Sequence, residues 1–277
     1  MSSAAGGVIV MGWWQLALAT VFVLITGVIS IRLALGLEKD LAIATVRTYL
    51  QLLALGLVLG WVFRNQTWWL VIAILLVMTA TAAQIILRRS PDAPKGVYVT
   101  SFASMLVTGF VVTFVVTGAI IQVSPWYRAD YVIPIAGMVL GNSMNGIALA
   151  LERVFADLDA RDEEILALTA LGASSWEAAS PSIRSALRAG LMPTINSMAA
   201  VGIVFIPGMM AGQILAGADP LAATGYQIVV MLMVAAATAV GSMLAVLGTY
   251  KRRFTEDGVF IERGMRVERS SGRGRGK

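Results

Sequence analysis

The chain has 277 residues, 58% of them hydrophobic and 13% charged; an ordinary soluble domain carries roughly a quarter charged residues, so a water-soluble globule is excluded. Cysteine and histidine are both absent, which removes disulfides, thiolate nucleophiles, imidazole bases and the commonest metal ligands together. The net charge of +5 gathers at one end, with nine of the 21 basic residues from Lys251 onward, a placement that suits anionic lipid headgroups rather than nucleic acid.

Apolar runs long enough to cross ~30 Å of hydrocarbon at 1.5 Å per residue recur along the chain. They predict an all-α polytopic bundle with seven spans, at about 8–31, 41–63, 68–87, 97–122, 132–151, 190–217 and 223–249. The first run has no basic residue before it and exceeds a signal-peptide core, so it reads as a retained helix. Alternate connections differ sharply in Lys and Arg: eighteen lie on one side, against Arg64 and Arg128 on the other. Cytoplasmic loops keep positive charge, so the N-terminus is expected outside and the C-terminus inside. Trp68, Trp69, Trp126 and Tyr127 flank the outer connections, as interfacial aromatic residues do. Residues 1–250 thus read as a transmembrane domain with a long cytoplasmic loop at 152–189, and 251–277 as a basic, disordered tail ending in SSGRGRGK.

Inside the predicted spans there is no Asp or Glu, and Arg47 is the one charged residue. An arginine at mid-helix costs roughly 2.5–3.5 kcal/mol unless it snorkels. Arg47 is therefore either a snorkelling interfacial residue or an anion contact facing the bundle interior. Gln51 follows one turn later on the same face, with Thr48 beside them. The fifth span, VIPIAGMVLGNSMNGIALALE, mixes Gly137, Gly141 and Gly146 with Asn142, Ser143 and Asn145. Its GxxxG pair indicates close packing, and the two asparagines either serve that packing or line a translocation path. In the sixth span the sequence Pro207-Gly208-Met209-Met210 predicts a kink or break, followed by Gln213. Unwound backbone at membrane depth is tolerated where it is buried in protein or lines a cavity, so this stretch is either a packing kink or part of a substrate path.

The stretch LTALGASSWEAASPSIRSALRAGLMPTI reads as two short helices around a glycine turn. The first runs from about Asp157 to Leu171 and is capped at Gly172. Ser174-Ser175-Trp176-Glu177 fits the S-x-x-E capping box, and Ser180-Pro181 offers a second helix start with proline at its first position. Such an element presents an apolar knob to a partner.

These residues resemble the FetB-type permeases of the ATP-binding-cassette class, a family tied to iron export with plant relatives linked to aluminium tolerance. The resemblance spans about residues 38–250 and rests on LEKDLAIATVRTYLQLLALGLVLG, PIAGMVLGNSMNGIALAL, the ALGAS and IRSALRAGLMPTI segments, and GIVFIPGMMAGQILAGADPLAATGYQI. It implies that residues 163–177 dock an ATP-binding subunit, with Leu171, Gly172, Ala173, Trp176 and Glu177 as the contact residues. It also implies a homodimeric permease, an exporter in a bacterial plasma membrane, with ATP and Mg on the partner subunit and no cofactor on this chain. The absence of a G-x-x-x-x-G-K-[ST] motif agrees with hydrolysis elsewhere. Secondary transport and intramembrane catalysis both lack the span carboxylates, His or Cys they would use. A secondary transporter or a non-transport subunit of another membrane complex remains the alternative. With only Met sulfur, amides, hydroxyls and carbonyls in the spans, the substrate is open among a metal, a chelate and another small solute.

Overall fold

The computed structural model describes residues 11–89, 96–255 and 258–261. The predicted start of the first span at 8–10, the charge at Lys95 and the tail from 262 lie outside the described residues. The described chain is helical: α1 (Trp13–Arg32), α2 (Glu38–Asn65), α3 (Trp68–Arg89), α4 (Val97–Ile120), α5 (Ala129–Ala160), α6 (Asp162–Ala170), α7 (Ser175–Ala200), α8 (Gly208–Leu215) and α9 (Pro220–Tyr250). Among the described residues six helices are long and apolar enough to span a membrane: α1 to α5 and the α9 segment.

Residues 190–217, expected as one span, are divided. They comprise the end of α7, an irregular stretch from Val201 to Pro207, and α8. The break falls earlier than the sequence suggested, and Gly208, Met209 and Met210 are helical. The reversal is made at Gly202, whose φ of +80° is open to glycine at no steric cost, and whose N–H donates to the Phe205 carbonyl at 3.0 Å. Pro207 then precedes the new helix, in keeping with a ring that disfavours helix in the residue before it.

Two compact units are present, one formed by Met1–Thr67 with Gly208–Thr224 and the other by Trp68–Pro207 with Gly225–Lys277. In the first, α1 and α2 form a hairpin. Tyr49 Oη lies 2.7 Å from both Thr20 Oγ1 and the Leu16 carbonyl, and Leu37 N–H donates to Ser30 Oγ at 3.1 Å across the connection. The only residues of these helices that are fully buried are Ser30 and Val62; most of the remainder is apolar surface of the kind that lipid accepts.

The second unit is built around α5, whose buried face includes Ile135, Val139, Ile147, Leu151, Val154 and Leu158. This apolar stripe continues past the predicted span end at 151, which is why the helix runs on to Ala160 instead of yielding to a loop. The closest helix approach is not the predicted GxxxG pair. A Cβ on Gly141 would meet nothing within 4 Å, whereas one on Gly190 would lie 2.6 Å from the Gly146 carbonyl oxygen. Glycines at 146 and 190 thus let the backbones of α5 and α7 touch. In α4, two π-helical turns occur at Thr108–Val112 and Val116–Ile120, next to Gly109, where a Cβ would collide with Leu140 at 2.6 Å.

The predicted helix–turn–helix exists with shifted bounds. Arg161 leaves helical geometry at φ −117° and ψ 23°, and α6 restarts behind Asp162, Glu163 and Glu164, acidic residues that favour a helix N-terminus. The second helix does not begin at Pro181: α7 starts at Ser175, and Pro181 and Pro193 both lie inside it. The Ser174 box prevails because it satisfies orphan N–H groups with side chains, while proline merely lacks one. Residues 251–255 and 258–261, assigned by sequence to an unstructured tail, are instead packed, with Phe254, Phe260 and Arg253 buried.

Candidate functional site

Five predicted docking residues come together on one turn. At the end of α6, Gly172 N–H donates to the Thr169 carbonyl at 3.0 Å and Ala173 N–H to the Leu168 carbonyl at 2.9 Å. With Gly172 at φ +93°, these bonds form a Schellman closure, in which only glycine carries the left-handed residue without strain. Leu171, at the apex, is 86% exposed.

Three residues later the capping box is complete. Glu177 N–H donates to Ser174 Oγ at 3.3 Å, and the Glu177 carboxylate accepts from Ser174 N–H at 2.8 Å and from its hydroxyl at 2.7 Å. Those donors, the hydroxyl first and the backbone N–H second, hold the Glu177 carboxyl below the usual range. Trp176 is half exposed, and its inner edge meets Tyr250 with ring centroids 6.0 Å apart. Behind the turn, Ile165, Ala178, Ala179 and Ile183 are buried, so the exposed tip stands on a fixed base. Arg161 strengthens that base by pairing with Glu164 at 2.6 Å and donating to Ser182 Oγ at 2.9 Å.

The predicted path residues fall in three groups. Arg47 and Gln51 share an exposed face of α2. Asn142 and Asn145 share an exposed face of α5, whereas Ser143 between them points into the core. Asn142 donates to the Met138 carbonyl at 2.8 Å, and Asn145 Oδ1 accepts from Arg89 Nη1 at 3.1 Å. Pro207 closes the break after α7, while Gly208, Met209, Met210 and Gln213 lie in α8. The Gln213 side-chain carbonyl is shielded and without a partner among the described residues.

Sequence reasoning missed Arg89, because a basic residue at a helix end looks like a topology signal. It also missed the hydroxyls of Ser101, Thr113, Thr238 and Ser242, which are buried without partners among the described residues. Their signal was the run of Ser and Thr inside otherwise apolar α4 and α9. Among the described residues no three His, Cys, Asp or Glu side chains cluster as a metal site would require.

Residues 13–254 match the model of the uncharacterised protein family UPF0014. The chain belongs to that family. Members similar to it include the UPF0014 membrane protein YjkA of Bacillus subtilis, 35% identical over 88% of this chain and 96% of the relative. The probable iron export permease protein FetB of Escherichia coli is 33% identical over 86% and 90%. The ALUMINUM SENSITIVE 3 protein of Arabidopsis thaliana is 31% identical over 87% and 86%. No solved structure matches the chain. The UPF0014 match covers the hairpin of α1 and α2, the turn at Gly172 and the chain as far as Phe254 alike, and the chain is a multi-pass integral membrane protein of that family.

Proposed function

We propose that this UPF0014 chain is the membrane-spanning permease subunit of an ATP-binding-cassette exporter, moving a metal, a chelate or another small solute. ATP is hydrolysed with Mg on a separate subunit, and two copies of the chain form the pathway with the C-terminus on the cytoplasmic side. The observation that carries this reading is the turn at Leu171–Ala173. An apolar tip, held by a Schellman closure and a capping box on a buried base, is suited to enter a groove of another protein and to transmit force without bending. The name of the Escherichia coli relative, a probable iron export permease protein, supports the same direction.

The substrate contacts on this reading are Arg47, Gln51, Asn142 and Asn145, with Pro207 at the end of the break and Gly208, Met209, Met210 and Gln213 of α8. Exposed amides at span depth are costly against lipid, so protein or a water-filled path is expected to cover them in the assembly. Binding of ATP then biases two arrangements of the spans through the turn.

The test is purification of the chain from membranes with the ATP-binding-cassette subunit identified by mass spectrometry. Gly172→Asp, which puts a side chain and a charge on the left-handed residue, should lose that subunit while the spans stay folded. A Gly172→Asp complex that remains intact with transport-coupled ATP hydrolysis defeats the docking assignment. Stimulation of hydrolysis by iron salts or iron citrate in proteoliposomes identifies the substrate class. The Asn142→Leu/Gln213→Leu variant should express normally and fail to transport.

A further inference from the structure

Arg253 is 1% exposed, although arginine is almost never fully buried without a partner. Its guanidinium pairs with the carboxylate of Asp159 on the last turn of α5 and sits 5.1 Å from the centre of the Phe260 ring. The backbone is shaped to deliver it there. After α9 and a short 3₁₀ turn at Lys251–Arg253, the chain folds back on itself. Thr255 N–H donates to the Val259 carbonyl at 2.8 Å, and Ile261 N–H donates to the Arg253 carbonyl at 2.8 Å. This pairing sets Phe254 against Phe260, with centroids 5.4 Å apart.

Aromatic contacts carry the structure onward. Phe254 meets Tyr250 at 6.5 Å, and Tyr250 meets Trp176 at 6.0 Å, so an edge-to-face series runs from the folded-back segment through the end of α9 to the first turn of α7. The tip at Gly258 and Val259 forms one wall of a surface cleft of about 440 Å³ whose other wall includes Leu166, Thr169, Gly172 and Ser174. The segment therefore packs into the same buried cluster as the base of the turn and reaches its capping helix through Tyr250 and Trp176.

We infer that residues 250–255 and 258–261 form a clamp tying the docking turn to the end of α9, and that Arg253 and Asp159 are positioning residues that lock it. This rests on the reading of the turn as the ATPase contact. A buried ion pair is a poor stabiliser compared with apolar residues of similar volume, because desolvation offsets most of its attraction. Its benefit is that one arrangement satisfies it and others do not. A push at Leu171 then moves α9 with the turn instead of being absorbed between them.

The test uses the absence of native cysteine. Spin labels at Leu171→Cys and Val259→Cys, both exposed positions, report the clamp directly by pulsed electron resonance. The wild-type background should give a narrow distance distribution. The Arg253→Met/Asp159→Leu pair, which removes both charges, should broaden it, and the exchanged pair Arg253→Asp/Asp159→Arg should narrow it again. In the reconstituted complex, the apolar pair should retain the ATPase subunit and basal hydrolysis while transport per ATP falls about tenfold, with recovery in the exchanged pair. An unchanged distribution, or normal transport per ATP with both charges gone, overturns the clamp. If the wild-type chain holds no ATPase subunit, the docking reading fails, and the spin-label distances alone decide whether the clamp exists.

Discussion

The hairpin of α1 and α2 and the region around Gly172 meet opposite demands with opposite chemistry. In the hairpin only Ser30 and Val62 are fully buried, most of the exposed side chains are apolar, and order comes from helix hydrogen bonds together with a few polar contacts such as Tyr49 to Thr20. Lipid makes that surface acceptable without packing against it. Around Gly172 the side chains are mixed, and order comes from caps, an ion pair and a buried cluster that includes Ile165, Ile183, Tyr250 and Phe260. The comparison teaches that hydropathy specifies a lipid-facing helix, whereas an element meant to contact another protein is specified by its ends.

Glycine substitution should separate the packed unit from the lipid-facing hairpin most strongly. Gly190→Leu places atoms where the Gly146 carbonyl and the Ala150 Cβ already lie, at 2.6 and 2.9 Å from a Cβ. Overpacking that cannot relax costs about 3 kcal/mol or more, and the variant should aggregate or elute broadly in size-exclusion chromatography. Gly56→Ala in α2, with nothing within 4 Å, should instead gain about 0.5–1 kcal/mol from helix propensity. Equal melting temperatures for the two variants would break the comparison.

Next in size is the turn itself. Gly172→Ala forces a Cβ into the left-handed region at φ +93°, a strain of roughly 1–2 kcal/mol. Ser174→Ala removes the cap, at about 1 kcal/mol. Both should speed proteolysis within 170–176 and leave the hairpin of α1 and α2 uncut. A further consequence concerns Leu171: because it stands clear of the core, Leu171→Ser should leave thermal stability unchanged and weaken only ATPase retention in a pull-down.

The same contrast explains what the sequence made legible. Six of the seven predicted spans correspond to α1 to α5 and α9, because a long apolar run is visible in hydropathy alone, and the Ser174–Glu177 box was visible as a four-residue pattern. The position of the break was less legible. Pro207 and Gly208 looked like the interruption, yet the chain turns at Gly202, where apolar Ile203, Val204 and Ile206 give no hint of irregular backbone. Asn142 and Asn145 were recognisable as costly residues, but Arg89 as a partner of Asn145 depends on α3 lying beside α5. The Arg253–Asp159 pair joins residues far apart in the chain, and its basic member was hidden in a cluster whose composition suggested a tail.

The smallest expected effect is a pH response confined to the turn. Hydrogen bonds from the Ser174 hydroxyl and backbone N–H lower the Glu177 carboxyl below its ordinary value. A folded-state value below the unfolded one means the cap adds stability above the ordinary carboxyl range, and loses it as pH falls through the lowered folded value. Glu177 is exposed, so solvent screens the contribution and the change stays local. Protease cleavage within 170–176 should therefore rise as pH is taken from 7 toward 3.5, using an acid-tolerant protease, while cleavage in the 33–37 connection of the lipid-facing hairpin changes less. Glu177→Gln, which cannot ionise, should remove most of the pH dependence at the turn. The same acid response in Glu177→Gln would show that some other group controls the turn, and would leave its ends, rather than this carboxylate, as the source of its rigidity.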